Sequence, residues 1–247
     1  MEYGNLPERM NSFTPLQLAV MHKRVDICRL LLEKEVDIEA YGVDGPWLSC
    51  LNLVVHERNL EIIQLLLENN AKVEIENDDG ENILQWISCD QEPAHSRDKV
   101  GELILQYGGN VNKENNDGFT QLHNAADIND YPYCKTLLEF GANINAVSKC
   151  GNTPLHMARS YDIYILFLDK GADPTLQNED GNTALHFAAA AYHKPCCQLL
   201  VELGGMHLVH IKNNNNDKPS DVAKNDEIRD YLKSIEDLKS IEEGNDT

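Results

Sequence analysis

Basic residues are scarce: 21 Lys and Arg stand against 41 Asp and Glu, a formal net charge of −20. Such a chain repels nucleic-acid phosphates and anionic headgroups, which argues against nucleic-acid and membrane-surface roles. Long apolar runs are missing too. None approaches the ~20 residues that cross a bilayer, and residues 1–8 carry neither the basic nor the apolar stretch of a secretory signal. The seven cysteines are odd in number, never spaced Cys-x-x-Cys, and two of them, Cys196 and Cys197, are adjacent. That disfavours a disulfide framework and leads us to expect a reducing, cytoplasmic setting. Catalytic signatures are absent as well: there is no G-x-x-x-x-G-K-[ST], G-x-G-x-x-G, G-x-S-x-G or H-E-x-x-H. The remaining nucleophile–base pair is Cys89 with His95. Nothing in the sequence orients that histidine, so an enzyme is the remote reading. No cofactor and no metal are expected.

What the chain has is an internal repeat. Thr153-Pro154-Leu155-His156 and Thr183-Ala184-Leu185-His186 are near-copies of one tetrapeptide. Weaker copies begin at Thr14, Ser49, Asn82, Thr120 and Lys218, in steps of 35, 33, 38, 33, 30 and 35 residues. Gly141 and Gly204 follow their copies by 21 residues, and Glu35 and Asn70 occupy the same slot in the first two. Asp-Gly recurs before the next copy, at Asp44-Gly45, Asp79-Gly80, Asp117-Gly118 and Asp180-Gly181.

The residue types suit a helix–turn–helix unit. Thr is a good N-cap, and Pro tolerates the first helical turn. Leu155, Met157 and Ala158 are expected to point inward. Val25, Ile27, Leu30 and Leu31 in the first repeat, and Leu60, Ile62, Ile63, Leu65 and Leu66 in the second, give the second helices apolar residues at helical spacing. Gly141, Gly171 and Gly204 are expected as left-handed helix ends. Asp-Gly suits a tight turn.

Period, tetrapeptide, Gly-Ala-Asn (Gly141-Ala142-Asn143) and Asp-Gly turn recur in phase, and together they resemble the ankyrin repeat. The resemblance runs from about residue 10 to about residue 235. It implies an all-α repeat solenoid of about seven units, each two helices plus a β-hairpin loop. No single unit buries its apolar face alone, so stacked neighbours must bury it for each other. The expected organisation is an irregular segment at 1–10, one array at 11–235 and an acidic flexible tail at 236–247. The last unit, headed by Lys218, reads as a degenerate cap because Ser220 takes its Leu slot. His123, His156 and His186 fall in one register, and the resemblance implies a local structural hydrogen bond for each.

Departures from the repeat point to function, because insertions in solenoids gather on one face. Repeat three is five residues longer than usual, and the extra length falls between its helices, at Ser88–Arg97. Repeat five is short at Arg159–Asp162, with 18 residues from Thr153 to Gly171 instead of 21. Tyrosines collect at the helix corners: Tyr131 and Tyr133, Tyr161 and Tyr164, Tyr192. Tyr164, inside a helix, reads as core. Tyrosine is enriched at binding hot spots. The resemblance implies that corners and hairpin tips rim a concave surface that holds other proteins. The candidate contacts are Tyr41, Trp47, Glu76, Asp78, Asp79, Tyr131, Tyr133, Tyr161 and Tyr192. The expected function is a monomeric, non-catalytic scaffold for a partner protein, with a basic patch on the partner answering the acids. The alternative is an ankyrin-repeat effector of an intracellular bacterium or virus, suggested by the acidic tail and the Asn-rich composition.

Overall fold

The computed structural model describes residues 13–40, 49–87 and 94–244. Every tetrapeptide copy heads a helix. Thr14 caps α1 (Pro15–Met21) and Ser49 caps α3 (Cys50–Glu57). The Asn82 side chain accepts from the N–H groups of Leu84 and Gln85 at the start of α5 (Ile83–Ile87). Thr120, Thr153, Thr183 and Lys218 precede α7 (Gln121–Asp127), α9 (Pro154–Met157), α11 (Ala184–Ala190) and α13 (Pro219–Val222). The second helices are α2 (Val25–Leu32), α4 (Leu60–Glu68), α6 (Ala94–Gln106), α8 (Tyr131–Glu139), α10 (Tyr161–Asp169), α12 (Lys194–Gly204) and α14 (Asp226–Gly244). A 3-10 turn, Met206–His210, follows α12.

The helices fall into two compact units, 1–116 and 117–247. In the first, α1, α3 and α5 pack in one row and α2, α4 and α6 in another. In the second, α7, α9, α11 and α13 form one row, and α8, α10, α12 and α14 the other. Each unit is thus two helical layers with the core between them. Leu16, Val54, Ile63 and Leu84 fill the first core, and Leu122, Leu155, Leu185 and Leu200 the second.

Two expected apolar positions are exposed, and Val25, Ile27 and Leu31 are only half-buried. Leu30 is 55% exposed and Leu60 38%. In α2 the packed face is Cys28 and Leu32, four residues apart, and Leu30 lies between them on the far side of the helix. Leu60 opens α4, ahead of the buried Ile62 and Ile63.

The loops form no strand among the described residues. Tips close as single turns: the N–H of Ser148 donates to Asn152 O (2.9 Å), and that of Asn178 to Asn182 O (2.9 Å). One further bond ties such a tip to the one before it, from the N–H of Lys149 to Asp117 O (2.9 Å) and of Glu179 to Cys150 O (3.0 Å). Such a ladder is too short to count as sheet. Gly151 shows why the turn wants glycine. Its φ is +77°, and an added Cβ would lie 2.7 Å from the Glu179 nitrogen. After repeat six, Asn216 adopts φ 68° instead, a conformation that Asn tolerates better than most residues.

Side chains staple the repeats elsewhere. Glu39, Glu74 and Asn145 occupy one slot of repeats one, two and four. They accept from the N–H groups of Lys72 (2.8 Å), Asn110 (2.7 Å) and Asp173 (2.9 Å) in the following repeat.

Three terminal expectations change. Gly204 is the last residue of α12, and the positive φ belongs to Gly205, at 101°. Gly204 is needed for space, since a Cβ there would meet Leu208 and Pro174 within 2.8 Å. Residues 94–97 of the inserted stretch belong to α6 rather than to a loop. The tail expected to fray from residue 236 continues α14 to Gly244. Glu236 docks it: Lys218 Nζ donates to one carboxylate oxygen and the buried Ser220 Oγ to the other, both at 2.6 Å. Ser220 in the Leu slot is thus a satisfied polar cap.

Candidate functional site

The three registered histidines are fully occupied within the fold. The N–H groups of Thr120, Thr153 and Thr183 donate to Nδ1 of His123 (3.1 Å), His156 (3.0 Å) and His186 (3.1 Å). Nδ1 therefore carries the lone pair and Nε2 the proton. Nε2–H donates to the carbonyls of Asn152 (3.0 Å), Asn182 (3.0 Å) and Asp217 (3.2 Å). Each ring thus pins its own helix start to the loop that leads into the next repeat. Burial disfavours the charged imidazole, taking His123 down from 6.5 to about 4 and lowering His156 and His186. Rings so engaged hold no metal, and among the described residues no group of His, Cys, Asp and Glu is placed to bind one.

Of the free cysteines described, Cys150 is exposed, and the others are buried and offer no nucleophile. Burial pushes Cys50 and Cys197 up to about 12 and Cys196 up to about 11. A raised thiol is unreactive, because the thiolate is the nucleophile. Cys89 lies outside the described residues. His95 lies on α6, with its side chain outside them.

The corner side of the second unit is different. Tyr131 and Tyr161 are the first residues of α8 and α10, placed by the N-caps Asp130 and Ser160. Their exposures are 40% and 44%. Tyr192 stands at the corner before α12 with φ 65° and is 59% exposed. Its left-handed slot is that of Asn129 two helix pairs earlier, where φ is 59°. All three residues stand at the helix corners of this unit.

Tyr133 does not join them. It is fully buried: two residues into α8 its side chain turns inward beside Cys134 and Leu137. Tyr164, expected as core, is 1% exposed.

At the corner of repeat five lies a hollow of about 200 Å³ that sequence reasoning missed. Its origin is the shortened fifth repeat. Helices α7 and α11 each run seven residues, whereas α9 runs four and ends where Ala158 turns extended, at ψ 135°. About one turn is missing. Met157, Ala158, Phe187, Ala188 and Ala191 line the resulting notch, with Tyr164 at its wall. Asp127 and Arg159 form its polar edge, joined by an ion pair in which Nε donates to Oδ1 at 2.9 Å. Phe187, 37% exposed, meets His156 edge to face at 5.7 Å. The signal was present in the sequence, as the 18-residue spacing in place of 21.

In the first unit, Glu76, Asp78 and Asp79 are exposed on one turn. Lys113 Nζ pairs with Glu76 at 2.8 Å. The backbone oxygens of Asp78 and Asp79 accept from Asn116, leaving both carboxylates to solvent. Tyr41 and Trp47 lie outside the described residues.

Comparison with known proteins agrees with this geometry. The "Ankyrin repeats (3 copies)" family matches residues 93–178 and 159–239, and "Ankyrin repeat" matches 11–42. The chain belongs to the ankyrin-repeat family. It is similar to the human SH3 and multiple ankyrin repeat domains protein 2, at 28% identity over 151 residues; the match covers 57% of this chain and only 8% of that protein's length. Among solved structures it is similar to the ankyrin repeat domain of Bcl-3, a member of the IkappaB family. That match has TM-score 0.75 and 26% identity, covering 89% of this chain and 98% of that one. It is also similar to an ankyrin repeat domain from Acinetobacter baumannii AYE, with TM-score 0.69 and 25% identity, covering 77% and 98%. Ankyrin repeats are in general protein–protein interaction modules, and the fold is typically a non-catalytic scaffold. No helix of the described residues is long and apolar enough to cross a membrane.

Proposed function

We propose that this chain is a non-catalytic scaffold that holds a partner protein on the helix-corner side of its second unit. The observation that carries the reading is the exposure of Tyr131, Tyr161 and Tyr192 at the corners of three consecutive repeats. The core does not require these rings, and an exposed tyrosine supplies large contact area at low entropic cost. The acids Glu76, Asp78 and Asp79 serve long-range attraction of a basic partner rather than close contact. The buried, unpaired thiols suit a reducing compartment, and we place the protein's work there.

A photo-crosslinking residue tests the surface. Placed at Tyr161 it should capture the partner in a cell extract. Placed at Phe140, exposed at the opposite end of α8, it should not. Equal capture from both positions, or capture from Phe140 alone, would sink the reading.

A further inference from the structure

We infer that the notch in repeat five is the anchor pocket for one ring or branched apolar side chain of a basic peptide segment in the partner. The inference deepens the proposed scaffold function and rests on it.

Size and chemistry fix the anchor. A cavity of ~150 Å³ with apolar walls takes up benzene, and this notch of about 200 Å³ opens to solvent between α7 and α11. Its apolar walls are Met157, Ala158, Phe187, Ala188 and Ala191, which offer dispersion contact; His156, with both ring nitrogens engaged within the fold, and His193 also line it. The core does not need Phe187 to be exposed, yet it stands beside the opening.

Charge fixes the flanks. The chain carries −20 overall, and the notch has a carboxylate, Asp127, on its edge. Arg159 answers that carboxylate in the free chain, but the pair is exposed. Such surface pairs contribute little, so a basic residue of the partner can take the place of Arg159 at small cost. Asp162, exposed in the first turn of α10, lies beyond the same corner. Tyr131, Tyr161 and Tyr192 expose rings at the helix corners of the same three repeats, over which Lys or Arg can stack. A peptide with a ring or aliphatic anchor and basic neighbours satisfies every one of these groups. An acidic peptide satisfies only Arg159.

The test is a selection of random peptides, about a dozen residues long, displayed against the whole chain. A synthetic copy of the winning peptide is then titrated by fluorescence anisotropy. Enriched peptides should share one aromatic or branched aliphatic residue with Lys or Arg beside it. Ala191 is exposed, so Ala191→Trp fills the notch without touching the core. It should weaken the peptide about thirtyfold, the equivalent of a ~2 kcal/mol hot spot. Should Ala191→Trp melt early, Ala191→Lys at the same exposed site must weaken it instead, by repelling the basic flank. No enrichment over an unrelated control protein, enrichment of acidic flanks, or full affinity in the Ala191 variants overturns the inference. If the Ala191 variants bind normally while Tyr131→Ala does not, the notch is lost and the scaffold surface stands. If neither change matters, both fall.

Discussion

A single histidine in this fold does three things at once. It accepts from the N–H that heads its helix, keeps its proton on Nε2, and donates to the carbonyl that leads into the next repeat. Protonation would put a second proton on Nδ1, which faces that N–H donor. Burial of the ring disfavours its charged form, so the folded pKa is depressed, and the sign of the pH dependence follows. Above 6.5 both folded and unfolded imidazoles are neutral, and the contribution is complete. As pH falls from 6.5 toward about 4, the unfolded chain takes up protons that the folded one refuses, and stability is lost. For His123 the loss is on the order of 3 kcal/mol. Urea titrations across this window should show it, and an unchanged midpoint would contradict burial of the ring in its neutral form. Gln17 and Gln85 do the first part of the same job, with Oε1 accepting from the N–H groups of Thr14 (2.7 Å) and Asn82 (3.0 Å). His156→Gln should therefore lose less stability than His156→Leu, which strands a buried donor at ~1–3 kcal/mol. It should also flatten part of the pH dependence.

At the scale of the element, the turn and the terminal helix carry separable claims. Gly141 and Gly151 share a positive φ, at 84° and 77°, but differ in surroundings. A Cβ on Gly141 meets nothing within 4 Å, whereas on Gly151 it would press on the Asn178–Glu179 backbone. Gly141→Ala should cost only the ~1–2 kcal/mol of left-handed strain, and Gly151→Ala clearly more. Equal thermal shifts would mean that the tip does not pack as described. Glu236 holds α14 against the last helix start, so Glu236→Ala should release the tail. Amide exchange would register faster exchange beyond Leu232, and unchanged protection there would contradict the docking. The repeat heads and turn glycines were legible in the sequence because each depends on one local rule of capping or φ. The continuation of α14 was not, since Glu236 docks onto Lys218 and Ser220, 18 and 16 residues away. Tyr133 was misread for a similar reason: it lies two residues from the exposed Tyr131, and only the rotation of α8 separates their fates. The notch was half legible, as a missing three residues, but not that α9 would end early and leave the space open.

For the whole molecule, charge and contact should separate cleanly. Replacing Glu76, Asp78 and Asp79 by their amides should slow association with a basic partner and flatten its salt dependence, leaving dissociation nearly unchanged. A change confined to dissociation would instead place those acids inside the interface. The central claim is that the exposed tyrosines of the second unit, which the fold itself does not need, hold the partner. Isothermal titration of the crosslinked partner against the whole chain, Tyr131→Ala and Tyr192→Ala tests it most directly, with thermal melts of each variant alongside. The account predicts wild-type melts and a loss of ~2 kcal/mol or more in binding for at least one of the two. Wild-type affinity in both variants would contradict it.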